Sequence, residues 1–338
     1  MNIYEIAKVA GVSATTVSRV INGNEHVRGE VRERVKNAIE ETGFVPNFFA
    51  RGLNMKQTKT VGILCPVISD LNHAKMVSIL EKYLRRYGFD IILCSLEQNY
   101  DDKSKYLNLL LQKHVDAIFI IGLGSANSAQ DIVPLEQVSR EVPLIVLNGK
   151  LDMENVYSII CNERYMATSI VEQLCLSGYH RIVYFYDTST YSGDQKLQGY
   201  YNGMELCGLS TDGLVFCVNE EISMSDIGEA TNLIMQYLNA LDSRPEAIMT
   251  ADDILAVPAQ KALQQLGIQI PVIGWNNSLF SQVATPTITS VDIDMKKISK
   301  TAVALLINVL EQKKNPKCIE VHASLIERES YRTGVQNI

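Results

Sequence analysis

The chain has 338 residues, 46% of them hydrophobic and 20% charged, with a net charge of −7. That balance excludes a disordered or fibrous chain, and the length allows more than one globular domain. No apolar stretch is long enough to span a bilayer, and Glu5 and Lys8 near the start argue against a signal peptide, so a cytoplasmic protein with no membrane partner is expected.

The first elements in chain order are three short helices. Ile3, Ile6, Ala7 and Ala10 recur at helical spacing, with Asn2 and Glu5 forming a capping box and Gly11 as a stop. Ser13 caps a second helix with Val17, Val20 and Ile21 inside and Ala14, Thr15, Ser18 and Arg19 outside. Two helices around a tight turn form a helix-turn-helix pattern, whose second helix can enter a major groove. Ala14 or Thr15 can meet a thymine methyl and Arg19 can fork onto guanine, while Thr16, Ser18 and Asn22 suit phosphates. Val27, Val31, Val35, Ala38 and Ile39 mark a third helix running to about Thr42.

Residues 1–60 hold nine basic against six acidic side chains, so the remainder carries −10. A basic head on an acidic body fits local contact with DNA. From Thr60 onward, short apolar runs (Val61–Cys65, Ile91–Cys94, Ala117–Ile121, Leu144–Leu147) alternate with helices near 73–87, 103–113 and 130–140. A second block runs helix 165–177, strand 182–186, helix 194–208, strand 214–217, helix 226–241, strand 247–250, helix 254–266 and strand 272–275. Alternation of this kind predicts two open α/β lobes with parallel sheets and ligand space at the carboxyl ends of the strands.

Several stretches together resemble the lactose-repressor (LacI/GalR) family: AKVAGVSATTVSRVIN, RERVKNAIEETGFVPN, ARGL, TKTVGILCPVIS, GYHRI, TADDILAV, VIGWNN and IEVHASLIERES. The resemblance implies a small all-α helix-turn-helix head plus an α/β periplasmic-binding-protein-like body of two doubly wound parallel-sheet lobes. It divides the chain into a DNA-binding domain (1–45), a hinge helix and linker (46–58) and an effector-binding and dimerisation domain (59–338). Lobe one would take about 59–160 and 290–320, and lobe two about 161–289 and 321–338, with crossings near 158–162, 286–291 and 319–323. The hinge would fold on operator DNA and insert Leu53 into the minor groove beside Ala50, with Asn47 and Arg51 nearby. Gly52 stands where a serine is usual and Asn54 where a basic residue is common, so weaker operator binding is expected.

The same resemblance puts one small-molecule effector between the lobes, in reach of Asp70, His73, Asn162, Arg164, Lys196, Asp253, Trp275 and Asn276. Family aspartates and stacking aromatics are replaced here: Cys161 precedes Asn162, Arg164 holds an aromatic's place, Lys196 an arginine's and Asn276 an aspartate's. The cleft therefore reads as more positive, suiting a sugar phosphate or sugar acid. The other reading is that Arg164 and Lys196 merely pair with nearby carboxylates, and a neutral sugar stays open. The expectation is a homodimeric repressor of operator DNA, since no heptad tail follows Ile326.

Catalysis and metal binding find no pattern. Gly122-Leu123-Gly124-Ser125 lacks the rest of a nucleotide loop, the five histidines are dispersed, and Asp252-Asp253 has no third carboxylate close in sequence. No cofactor other than the effector is expected. Seven cysteines (65, 94, 161, 175, 207, 217, 318), no two within three residues, suggest neither a disulfide frame nor a zinc site. The alternative function is a solute-binding receptor without DNA activity, against which residues 2–55 argue.

Overall fold

The computed structural model describes residues 3–21, 26–42, 58–96, 103–122, 129–187, 190–218 and 226–332. The expected hinge and the candidate DNA contacts Asn22, Asn47, Ala50, Arg51 and Leu53 lie outside the described residues. The chain forms two compact units, residues 1–58 and 59–338.

The first unit contains α1 (Ile3–Ala10), α2 (Ala14–Ile21) and α3 (Gly29–Thr42). Ile6, Ala7, Ala10, Val17, Val35 and Ala38 are its buried core, with Ile3, Val20, Ile21 and Ile39 packed at its margin. Gly11 takes the left-handed conformation (φ 63°) that ends α1, where a side chain would be strained. Val12 N–H then donates to Ala7 C=O at 2.9 Å, closing the turn.

In the second unit, lobe one is built on β1 (Thr60–Cys65), β2 (Asp90–Ser95), β3 (Ala117–Ile121), β4 (Leu144–Leu147), β5 (Val156–Cys161) and β11 (Cys318–Val321). Its strand order is β11-β5-β4-β3-β1-β2, and every pair is parallel. Helices α4 (Leu71–Arg86), α5 (Lys103–Gln112), α6 (Ala129–Ser139) and α12 (Met295–Leu310) accompany it. Both faces are covered, so β3 and β4 are buried at every position, which is why they read as unbroken apolar runs.

Lobe two is built on β6 (Ile182–Tyr186), β7 (Val215–Cys217), β8 (Ala247–Thr250), β9 (Val272–Trp275), β10 (Thr289–Asp292) and β12 (Ser324–Ile326). Its order is β12-β10-β9-β8-β6-β7, parallel except for β12, which runs antiparallel to β10. Its helices are α7 (Glu163–Leu176), α8 (Tyr191–Leu206), α9 (Ile227–Ala240), α10 (Asp253–Leu266) and α11 (Leu279–Val283).

Three crossings join the lobes, and one falls later than expected. β5 stays in the first sheet as far as Cys161, paired in register with Cys318–Val321. β10, expected to lead back into lobe one from 290, belongs to lobe two: Thr289–Val291 pairs with Ile273–Trp275. The chain returns at Ile293–Asp294, where Asp294 (φ 51°) caps α12 by accepting from Lys297 N–H at 2.9 Å.

Candidate functional site

In the head, α2 presents Thr15 and Arg19 to solvent one turn apart, on the face expected to read DNA. Ser13 caps the helix as its sequence suggested: Oγ accepts from Thr16 N–H at 3.1 Å. Ala14 is half-buried against the head core, and the Thr16 hydroxyl is shared with Ser13 Oγ at 2.8 Å. Ser18 is half-buried between the two faces.

In the body, the sheet topology itself locates a site. Lobe one reverses direction between β1 and β3, and lobe two between β6 and β8. In doubly wound sheets the carboxyl ends of strands flanking such a reversal diverge, leaving a crevice floored by helix amino-termini. Both crevices open on one cavity of about 180 Å³. Pro66, Val67 and Asp70 follow β1, and Gly122 follows β3; across the gap, Asp187 follows β6, and Ala251 and Asp252 follow β8.

Of the expected effector residues, Asp70, His73, Lys196 and Asn276 line this cavity. Asp70 is also the α4 cap, with Oδ1 accepting from Asn72 N–H at 2.7 Å and His73 N–H at 2.9 Å. The His73 ring meets Val67 C=O through Nδ1 at 3.1 Å. Asn276 reaches the wall through a left-handed backbone (φ 86°) directly after β9.

The other four do not line it. Arg164 is exposed on α7 and lies beside Asn202 of α8, whose reoriented amide oxygen would accept from Nε at 3.0 Å. Asn162 sits at the first crossing, where its Oδ1 accepts from Ala323 N–H at 2.7 Å and ties that crossing to the third. Asp253 is buried in the wall behind: Oδ2 accepts from Ser278 N–H (2.7 Å) and Oγ (2.8 Å), and Oδ1 from Ser290 Oγ (2.7 Å). Burial raises its carboxyl above the ordinary value, and these donors pull the other way. Trp275 is buried beneath Lys196, whose Nζ stands 5.4 Å from the ring.

Lys196 itself is spoken for. Its Nζ donates to Ala251 C=O at 2.8 Å and faces Glu163 Oε1 at 3.8 Å, the two side chains being 7% and 1% exposed. Ser192 Oγ donates to the same Glu163 oxygen at 2.7 Å. Burial raises the Glu163 carboxyl, with Lys196, Ser192 and the Trp275 indole acting to lower it. The cleft therefore does not gain the positive charge read from Arg164 and Lys196: one lies outside it and the other has a buried carboxylate for a partner.

Sequence reasoning missed Lys103, Asn148, Asp187, Thr190, Ser192 and Asp252 on the cavity wall. Asp252 caps α10, accepting from Leu255 N–H at 3.0 Å, and loss of water together with Asp187 raises its carboxyl well above the ordinary range. Asn148 takes a left-handed conformation (φ 52°) after β4, and its Oδ1 is buried without a hydrogen-bond partner. An asparagine or aspartate directly after an apolar run, as at Asn148 and Asp187, was the available signal, since strand ends face the crevice. Among the described residues no cluster of His, Cys, Asp and Glu is arranged to hold a metal, and no helix is long and apolar enough to cross a membrane.

Comparison with known proteins bears on both units. Residues 2–47 match the model for bacterial regulatory proteins of the lacI family, and residues 171–331 match a periplasmic binding protein-like domain. An HTH-type transcriptional regulator of Lachnoclostridium phytofermentans is 36% identical over 339 residues, covering 98% of this chain and 99% of the relative. The transcriptional repressor PurR of Vibrio cholerae is 27% identical over 346 residues, covering 98% of both. The crystal structure of the lac repressor dimer bound to operator and the anti-inducer ONPF superposes with a TM-score of 0.85 at 22% identity, covering 98% of each chain. This chain belongs to the lacI family of bacterial regulatory proteins, as a DNA-binding transcriptional regulator.

Proposed function

We propose that the chain is a homodimeric cytoplasmic repressor whose operator affinity is set by a neutral sugar held between the lobes of its body. The carrying observation is the balance of the cavity wall. It presents hydrogen-bond acceptors in the Asp70 and Asp187 carboxylates and the unpartnered Asn148 Oδ1, while the Lys196 charge is met by Glu163. Acceptors of this kind suit hydroxyl donors, and apolar Leu64, Ile120, Ile121 and Met295 beside them suit the flat faces of a sugar ring. An anion held here would face the Asp70 and Asp187 carboxylates. Closure of the lobes about the three crossings would be the change that alters DNA affinity. Thr15 and Arg19 would read bases, and Leu53, by family resemblance, would wedge the minor groove.

A sugar phosphate or sugar acid is favoured by one observation, the buried Lys103 on the same wall. A thermal-shift panel on the full chain separates the two readings, pairing each neutral mono- or disaccharide with its phosphorylated and oxidised counterparts. Stabilisation by neutral sugars supports the proposal; stabilisation by the anions alone overturns it. Operator fragments selected from genomic DNA then show whether the stabilising sugar changes binding. A chain that ignored all such DNA with its head intact would instead act as a receptor.

A further inference from the structure

The α7–α8 pair is packed unusually closely, and its register has a chemical consequence at the far end from the cavity. A Cβ on Gly199 would collide with Arg164 C=O and Ala167 Cβ; one on Gly203 would collide with Val171. Residues 199 and 203 thus lie against 167 and 171, and the next step of four sets Cys207 against Cys175. The two thiols are neighbours, near enough for Cys175 to raise the Cys207 thiol. Cys175 Sγ is also 3.8 Å from His180 Nδ1, and both cysteines are partly open to solvent.

We propose that Cys175 and Cys207 are a reversible modification site, joining as an intramolecular disulfide when the protein meets a peroxide. Two thiols that the helix register brings side by side at neighbouring helix ends are placed for the approach that a disulfide needs. Cys65, Cys94 and Cys161 are buried, and burial raises all three thiols.

The chemistry divides the roles. Burial, followed by the neighbouring Cys175, pushes the Cys207 thiol up to about 11, so Cys207 keeps its proton. Cys175, beside His180, is the nucleophile. Its thiolate attacks hydrogen peroxide, the O–O bond breaks, and Cys175 becomes a sulfenic acid as hydroxide leaves and is protonated to water. The Cys207 sulfur then attacks that sulfur: the S–S bond forms, the S–OH bond breaks, and the departing hydroxide takes the Cys207 proton to give a second water. The balance is two thiols and one peroxide to one disulfide and two waters. A dithiol reductant reverses it by thiol–disulfide exchange. A transient bond of this kind is compatible with a reducing compartment.

The test uses the full chain, treated with one equivalent of hydrogen peroxide, alkylated and mapped by peptide mass spectrometry. The expected result is one cross-linked peptide pair carrying Cys175 and Cys207, lighter by two hydrogens, present in monomeric chains and lost on adding dithiothreitol. Cys207→Ser should instead accumulate a sulfenic acid on Cys175, captured by dimedone. Wild-type protein in which both cysteines alkylate independently after peroxide would overturn the proposal. So would oxidation directly to sulfinic acid, or a cross-link through Cys217 or Cys318. The wild-type arm decides the matter even if the serine variant does not fold.

Discussion

Replacing Lys196 with methionine should expose what the buried ion pair on the cleft wall does. The two charges are 3.8 Å apart and almost completely shielded from water, the side chains being 7% and 1% exposed. At the effective dielectric of about 20 that reproduces measured pairs, their attraction is about 4 kcal/mol. Removing the cation leaves Glu163 buried with the Ser192 hydroxyl as its hydrogen-bond donor, and breaking such pairs costs about 3–5 kcal/mol. The variant can instead protonate Glu163, and this sets a ceiling on the loss. Against an ordinary value of 4.5, holding the carboxyl neutral costs about 1.4 kcal/mol per pH unit, hence no more than about 5 kcal/mol at pH 8 and about 1.4 kcal/mol at pH 5.5.

The sign follows from the direction of the shift. Glu163 is raised in the folded state, so its neutral form is the one the fold favours; stability is present below the ordinary carboxylate value and is lost as pH climbs through the folded value. Without Lys196 that folded value moves higher still, and the window of loss widens upward. Urea unfolding followed by fluorescence reads this directly, because Trp275 is the chain's single tryptophan, is buried, and lies beneath Lys196. Lys196→Met should lose about 4 kcal/mol at pH 8 and at most about a third of that at pH 5.5. Adding Glu163→Gln should restore stability to within about 1 kcal/mol of wild type, since no buried charge is then unpaired. A deficit independent of pH, or a double variant whose losses simply add, would refute the reasoning.

Asn148→Leu should weaken effector binding about tenfold for the lost hydrogen bond, and the strain of a leucine on the left-handed backbone (φ 52°), about 1–2 kcal/mol, should cancel any stability gained by removing an unpaired buried acceptor; calorimetry and melting of the same preparation check both. Arg164→Ala should change effector affinity by less than about threefold, as its side chain is outside the cavity, and a loss of an order of magnitude in titration would contradict that position. Gly199→Ala should destabilise the body by about 1–3 kcal/mol or more, because the methyl falls on a backbone carbonyl that cannot move aside; an unchanged melting temperature would mean the α7–α8 packing is looser than described. Arg19→Ala should cost about 1–3 kcal/mol on a selected operator and less on random duplex, measured by fluorescence anisotropy at fixed salt.

Much of this protein is written in local pattern. The capped and glycine-stopped helices of the head, the unbroken apolar runs of β3 and β4, and the alternation of strand and helix each follow from neighbours within a few residues, and a linear sequence carries that information whole. What only the tertiary structure decided is where side chains point once distant segments meet. Asp252 and Asp253 are adjacent in the chain, yet one faces the cavity and the other is buried under Ser278 and Ser290. Arg164 and Glu163 are adjacent too, and the turn of α7 sends the arginine to solvent and the carboxylate under Lys196, reversing the charge read into the cleft. A helix rotates about 100° per residue, so neighbouring positions share composition but not environment. The partner that decides each role comes from a strand or helix tens of residues away, which pattern along the chain cannot encode.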